Sequence, residues 1–492
     1  MNKKNNDNKY IEYYKNAKND VLKNNYESAI ENYKKSLDLK ENNIACLTEL
    51  GNLYEKLNNF NEAIQYYKKI ILIENNIVNK CITFNQIGVC YSNIKNYKNA
   101  IEYFEKVLEI KNDIADVYNN IAFCYLQLKN YKLCETNYYT SLRIQKSDRV
   151  LSALGELYFY TKKYELSIKF YEKTKDFNDN EKTKYNCSFP YLANKEFIKG
   201  FNLYENRLKF NNICQQTQQK QRVEIPLLID WDGKQECNNL LVVYEQGIGD
   251  NIQFYRYIIE LSELHPNMKI DYFCKDIVQE IFNEYDNIHI IDNVIITKYD
   301  YKTFIMSLPH ILSLNAIIPN EKKYIKIDDN KVEYWKNELS DLKKYKVGIT
   351  CNGLLSSIID KNIPLHEFAM LFDSNIDLIC IHKLNEISEE YKIIFKDKIK
   401  FVDIDKDVPF QDTIAILHSL DLLITVDTFI VHLAGILNIN TWLLLGHVCD
   451  WRWFNDDICH WYKSVEILRM KENKELKYIL HDVKDKLNKI TM

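Results

Sequence analysis

Ala17, Gly51, Gly88, Ala122 and Gly155 stand in steps of 34, 37, 34 and 33 residues. From Gly51 onward each small residue is followed three positions later by tyrosine: Tyr54, Tyr91, Tyr125 and Tyr158. A second block trails each of them, Ala29 with Tyr33, Ala63 with Tyr67, Ala100 with Phe104, Cys134 with Tyr138 and Ser167 with Tyr171. A fixed period of this length means a stack of like units, none of which can bury its apolar face alone. The small residues let one helix approach the next, and the aromatic residues fill the space between successive pairs. The step of 37 predicts three extra residues in the loop at 75–80.

The spacing resembles the tetratricopeptide repeat, whose period is about 34 residues. The Trp and closing Pro usual in that repeat are missing here. Five clear copies and a sixth, degenerate one with Ser188, Tyr191, Gly200 and Tyr204 in phase place the repeats at 10–211, behind a polar tail at 1–9. The last copy is expected to pack against the second half of the chain, because a terminal repeat has an uncovered face. A solenoid's concave face usually holds a peptide or protein partner. Asn85 and Asn119 are placed on that face, as contacts or as simply solvated residues.

Punctuating residues mark a change of architecture. No Pro precedes Pro190 and no His precedes His265; seven of the eleven glycines fall after Trp231. The break lies near 211–235. Across the whole chain, 46% apolar and 27% charged residues describe a soluble globular protein, and a net charge of −4 argues against a nucleic-acid partner held through phosphates. No apolar run approaches the length of a transmembrane segment, and none follows the charged N-terminus as a secretory signal requires. Thirteen cysteines without a C-x-x-C pair indicate neither a zinc site nor a disulfide framework and fit a reducing compartment, the cytoplasm.

After the break, short apolar runs alternate with helical stretches, the signature of parallel sheets. A first Rossmann-like unit, 212–330, has strands predicted at 240–245, 269–273, 288–291 and 303–307 and helices at 251–264 and 275–285. A second, 331–492, opens with a helix at 332–344. Its strands are predicted at 345–349, 376–381, 422–426 and 441–445, and its helices at 365–372, 386–395 and 413–420. An amphipathic helix at 474–490 is free to return to the first unit. Two such units create a cleft, a usual place for a small-molecule site.

The first unit begins with the sequence NLLVVYEQGIGDNIQFYRYIIE, a buried strand, a Gly247-x-Gly249 turn and a helix start. Such a turn presents backbone N–H groups and side chains to a ligand. Asp250 stands at its end, as a cleft carboxylate or as a helix cap. In the second unit, the run DLLITV ends at Asp427-Thr428, and His432 lies one helical turn beyond Thr428. A helix N-terminus there suits a diphosphate; the alternative is an Asp427 cap and a core histidine. Thr350 and Asn352, after the strand at 345–349, offer a second phosphate cradle. Lys361 supplies a point charge for a phosphate, or is an exposed loop lysine.

Together the ordered stretches EQGIGDNIQFYRY, SLPHIL, KNIPL, LDLLITVDTFIVHLAG and DWRWF resemble the tetratricopeptide-fused relatives of glycosyltransferase family 9, the ADP-heptose:lipopolysaccharide heptosyltransferases. The likeness runs over about 185–468 and includes Trp231-x-Gly233 and Tyr204-Glu205-x-Arg207. It implies a GT-B fold and an inverting transfer without metal or cofactor, from a nucleotide-diphosphate sugar to a protein or glycan acceptor. By the same likeness, Asp250 is the general base, Asp427, Thr428 and His432 match the donor-binding motif, and Lys361 falls near a phosphate-contacting position; Thr350 and Asn352 join the donor side only as the cradle read from the residues, since the loop at 352–359 lacks a clear family pattern. Gln246, Gly247, Gly249 and Gln253 are acceptor-side or structural. The Gly-Pro pair that commonly follows Asp-Thr in that family is Phe429-Ile430 here, so ADP-heptose is not carried over as donor. The competing expectation is a repeat scaffold with a catalytically degenerate transferase domain.

Overall fold

The computed structural model of the chain describes every residue except 1, 176, 178, 210–227, 275, 318–321, 352–358, 360, 373–374, 383–385, 405–409, 472–473 and 492. Backbone contacts divide it into two compact units, Met1–Leu157 and Tyr158–Met492.

The first unit is built of antiparallel-type helix pairs: α1 (Asn2–Leu22) with α2 (Tyr26–Leu39), α3 (Ile44–Lys56) with α4 (Phe60–Ile73), α5 (Ile77–Asn93) with α6 (Tyr97–Ile110), and α7 (Ala115–Gln127) with α8 (Tyr131–Ile144). The periodic small residues do the work their spacing predicts. A Cβ on Gly51 would lie 2.6 Å from the Tyr67 ring, and one on Gly88 2.6 Å from Phe104. Each turn inside a pair is closed the same way. Asn58, Lys95 and Lys129 take a left-handed backbone conformation. The next N–H then reaches back to a motif tyrosine: Asn59 to the Tyr54 carbonyl at 2.8 Å, Asn96 to Tyr91 and Asn130 to Tyr125 at 2.9 Å. This is the Schellman closure, here without glycine.

The extra three residues do not enlarge a loop. They lengthen α5 to 17 residues against 13 in α3 and α7. Asn76 accepts from the Val78 and Asn79 amides, and Glu74 accepts from the Asn76 N–H and the Asn79 side chain. That doubled cap starts the helix a turn early. Asn119 is 4% exposed, so it is a buried residue of α7 and not a solvated one.

Helix α9 (Asp148–Tyr160) runs across the division after Leu157, and the second unit goes on with α10 (Tyr164–Glu172), α11 (Glu181–Ala193) and α12 (Phe197–Tyr204), followed by two parallel sheets. The same closure recurs at Lys162 and Lys195. The smaller sheet holds β1 (Asn239–Val243), β2 (Lys269–Phe273), β3 (Ile288–Ile291) and β4 (Tyr301–Phe304) in the order β3-β2-β1-β4. The larger has β5 (Tyr345–Thr350), β6 (Ile376–Cys380), β7 (Ile399–Phe401), β8 (Leu422–Val426), β9 (Thr441–Leu445) and β10 (Val465–Arg469) in the order β10-β9-β8-β5-β6-β7. β8 and β9 are buried along their whole length, as strands covered on both faces must be.

Several expected elements differ. β7 and β10 are strands that short, charge-interrupted sequences conceal. Between β2 and β3 only Asp276–Gln279 is helical; Phe282 and Tyr285 form isolated bridges instead. Residues 365–371 form a 3-10 helix, and the Asp329–Glu338 helix starts and stops earlier than its apolar pattern. The C-terminal helix, Leu480–Thr491, does not return to the smaller sheet. Its Leu480, Val483 and Leu487 are buried in the apolar cluster of the larger sheet, with Val347, Phe368 and Leu444.

A single apolar cluster joins the α11–α12 pair to the smaller sheet, to the helices Ile248–Leu264 and Phe429–Ile436, and to residues 451–454. Phe197 meets Phe454 and Phe201 meets Trp451 edge to face, at centroid distances of 5.9 and 6.0 Å. Beside them Arg207 grips Glu245 through two nitrogens at 2.5 and 3.1 Å, and Ser307 at 2.8 Å. The last helix pair is therefore part of the α/β core.

Candidate functional site

Both sheets change direction of winding at one place. In the smaller sheet β1 lies between β2 and β4; in the larger, β5 lies between β6 and β8. The carboxyl ends of strands at such a point leave a crevice between diverging connections. The residues after β1, Gln246 to Asp250, and those at the ends of β5 and β8, Thr350, Asp427 and Thr428, line one cavity of about 690 Å³. Its volume is that of a small-molecule site.

On the first wall, the turn is not made by the glycines. Gln246 carries the left-handed conformation at φ 62°, its amide donating to the Tyr204 hydroxyl at 2.6 Å. Gly247 is extended and caps a helix that begins at Ile248, earlier than expected. Asp250 thus sits in the first turn of that helix, where Oδ2 accepts from the Gly247 N–H at 3.0 Å. Its other oxygen, Oδ1, receives Arg452 Nη2 at 2.5 Å. Cap and cleft carboxylate are the same residue. Gly249 is needed for close approach: a Cβ there would be 3.2 Å from the His432 ring and 3.4 Å from Phe429 Cα. Gln253 does not line the cavity. It is buried behind Arg452, accepting from Nε at 3.2 Å.

The opposite wall is the start of the Phe429–Ile436 helix. Thr428, not Asp427, is its cap, and the Thr428 hydroxyl is buried with no hydrogen-bond partner among the described residues. Asp427 instead pairs with Lys361, whose Nζ lies 2.6 Å from Oδ2. Lys361 is therefore mostly buried at the cavity, not an exposed loop lysine. Burial works against its charge, but Asp427 and Asp450 outweigh it and hold the ammonium above its ordinary pKa. His432 lines the cavity and is 5% exposed, with Nδ1 2.9 Å from the Tyr462 hydroxyl and its ring stacked on Trp453. Burial, then the cations Arg452, Arg256 and Lys361, push its pKa well below 6.5, so the ring is neutral. Gly435 leaves room for the Tyr462 ring that orients it. The Thr350 hydroxyl bonds that of Thr425, tying β5 to β8 beneath the site. Asn352 lies outside the described residues.

Asp450 and Arg452 complete the constellation. Arg452 Nη1 donates to Asp450 Oδ1 at 2.9 Å, and its guanidinium lies over the Trp451 ring at 4.7 Å. Burial opposes the charge of Asp450, yet Arg452 and Lys361 hold its carboxyl below the usual range. Asp250, Arg452, Asp450, Lys361 and Asp427 thus form a chain of neighbouring charges along the cavity. The lining also has an apolar part, Ile381, Ile404, Phe410, Phe429 and Ile430, together with His382 and Glu386. Asp450 gave no periodic signal of its own; the clue was its place at the head of DWRWF, two residues before Arg452. Among the described residues, no three His, Cys, Asp or Glu side chains are grouped to hold a metal ion.

Family models of the tetratricopeptide repeat match residues 43–113, 115–148 and 149–178, and a TPR repeat model matches 19–58. No curated protein matches the chain. Among solved structures, a tetratricopeptide repeat protein from Parabacteroides merdae ATCC 43184 is 18% identical, over 43% of this chain and 89% of its own, with a TM-score of 0.36. Pseudomonas aeruginosa pilF is 15% identical, over 44% and 96%, with a TM-score of 0.34. MamA from Desulfovibrio magneticus RS-1 is 15% identical, over 35% and 95%, with a TM-score of 0.32. Among the described residues, no helix is long and apolar enough to cross a membrane. The N-terminal part of the chain is thus an all-helical array of tetratricopeptide repeats, a module suited to protein interaction, and the C-terminal part is an α/β region with two parallel sheets.

Proposed function

We propose that the chain is a glycosyltransferase of GT-B type, moving a sugar from a nucleoside-diphosphate donor to a protein or glycan acceptor recruited by the repeats. The observation that carries this is the single cavity in which Asp250, on the wall after β1, faces Lys361, Thr428 and His432 on the wall after β5 and β8. Transfer needs a base for the acceptor hydroxyl, and a carboxylate held within the cleft is suited to it. The departing diphosphate needs its charge stabilised, and the free N–H groups of the Phe429–Ile436 helix, the Thr428 hydroxyl and Lys361 are the groups able to do so. The apolar part of the lining, where Phe410 packs on Phe429, suits a nucleobase. Likeness to the glycosyltransferase family 9 stretches supports the same roles, with Phe429-Ile430 as the point of departure.

The mechanism follows from these positions. Asp250 has two oxygens engaged, by the Gly247 N–H and by Arg452. A carboxylate has about four lone-pair sites, so an acceptor hydroxyl can take the place of one of these contacts and bond Asp250 from the cavity side. The hydroxyl passes its proton to Asp250 as its oxygen bonds the anomeric carbon, and the carbon–phosphate oxygen bond breaks with its electrons on the diphosphate. Water would otherwise take the sugar, so the transfer requires the cleft to close over both substrates. The test is a panel of nucleotide sugars assayed for diphosphate-nucleoside release by the full chain. Asp250→Asn is expected to lower turnover about 100-fold or more. Release from no donor would leave an interaction scaffold with an inert α/β half, an alternative favoured by the Arg452 contact that occupies Asp250.

A further inference from the structure

Among the described residues, the charged wall of the cavity carries three carboxylates, Asp250, Asp427 and Asp450, against two cations, Lys361 and Arg452. Both cations are spent on these carboxylates. A diphosphate entering such a wall meets a negative excess, and its affinity depends on drawing a cation away from a carboxylate. Arg452 is arranged for this. Nε is held by Gln253 and Nη1 by Asp450, while only Nη2 holds Asp250. The guanidinium plane is fixed by Trp451 on one side and Phe254 on another, at 4.7 and 5.8 Å. One nitrogen can thus change partner while the other two keep their bonds. A planar fork of this kind matches phosphate oxygens as well as carboxylate.

We infer that Arg452 is a charge gate that couples the two substrates: unliganded, its Nη2 masks Asp250, and a donor diphosphate takes that nitrogen and so uncovers the carboxylate for the acceptor. Donor would then bind before acceptor, and Arg452 is a positioning residue for Asp250. This rests on the transferase reading above.

The gate makes an unusual demand, that removing a charge from the proposed base improves nucleotide binding. The experiment is calorimetric titration of the full chain with ADP, GDP, UDP and CDP in turn. With whichever nucleotide binds, Asp250→Asn is expected to tighten Kd about threefold to tenfold, the range for one partly buried charge pair. Asp450→Asn is expected to act in the same direction, and provides the test if Asp250→Asn fails to fold for want of its Gly247 contact. Arg452→Gln should weaken binding, and Asp250→Asn added to it should bring no further gain. Unchanged or weaker binding in both carboxylate variants, with the wild type binding normally, overturns the gate and leaves the transferase reading standing. No heat from any nucleotide with any of the proteins overturns both.

Discussion

His432 shows how a single side chain can belong to a core and to a site at once. Its ring is buried against Trp453 and Tyr462, and one edge still faces the cavity. Because its folded pKa is depressed by burial and nearby cations, the folded protein refuses a proton that the unfolded chain accepts. The stability this residue helps to hold is therefore present above about pH 6.5 and lost as pH falls below it, with a slope of up to about 1.4 kcal/mol per pH unit. Urea midpoints measured from pH 7 to pH 5 should fall, and His432→Phe should flatten that fall. His382, also depressed by burial, adds to the slope in both proteins, so the difference between them isolates His432. From the sequence His432 had two readings, ligand-side or core, and spacing alone had no means of choosing. Asp250 was the same: strand, glycine turn and helix located it, but its pairing with Arg452 joins positions 202 residues apart.

Among the elements, those with a long regular period were the most legible. Small residues mark helix crossings and a motif tyrosine closes five of the turns, Asp20 closing the first, so six copies of one local solution repeat along α1–α12. Gly51→Val is expected to destabilise the repeats by about 2 kcal/mol, since its methyl groups would press on a Tyr67 ring pinned by Asn52 and Glu55; chemical denaturation would measure it. The insertion was visible as a step of 37 but not assignable, because Glu74 and Asn76 decide between loop and helix through hydrogen bonds. Strands β7 and β10 lacked signal because short edge strands carry charge, as Lys400 and Glu466 do. At the far end of the repeats, Arg207 makes the α11–α12 pair inseparable from β1. Arg207→Ala leaves Glu245 buried without its partner and should cost about 3–5 kcal/mol, whereas adding Glu245→Gln should recover part of that loss in the same denaturation assay.

For the whole molecule, the boundary between repeat and α/β region is not the compositional break near 211–235. The sixth helix pair lies within Tyr158–Met492, on the α/β side, because Phe197, Phe201, Tyr204 and Arg207 complete that core. Composition located where the residue types change, and packing located where the cores divide. The link from Tyr204 to Gln246 also gives the last repeat a hand on the turn that carries Asp250, so Tyr204→Phe is expected to raise the acceptor KM more than the donor KM in steady-state transfer. The proposed transfer depends on one cavity joining a carboxylate after β1 to a diphosphate site after β8, and its sharpest check is release of nucleoside diphosphate from a panel of nucleotide sugars. Release by the wild-type chain, lost in Asp250→Asn while nucleotide binding is kept or tightened, is the predicted result; equal release by both proteins would contradict it.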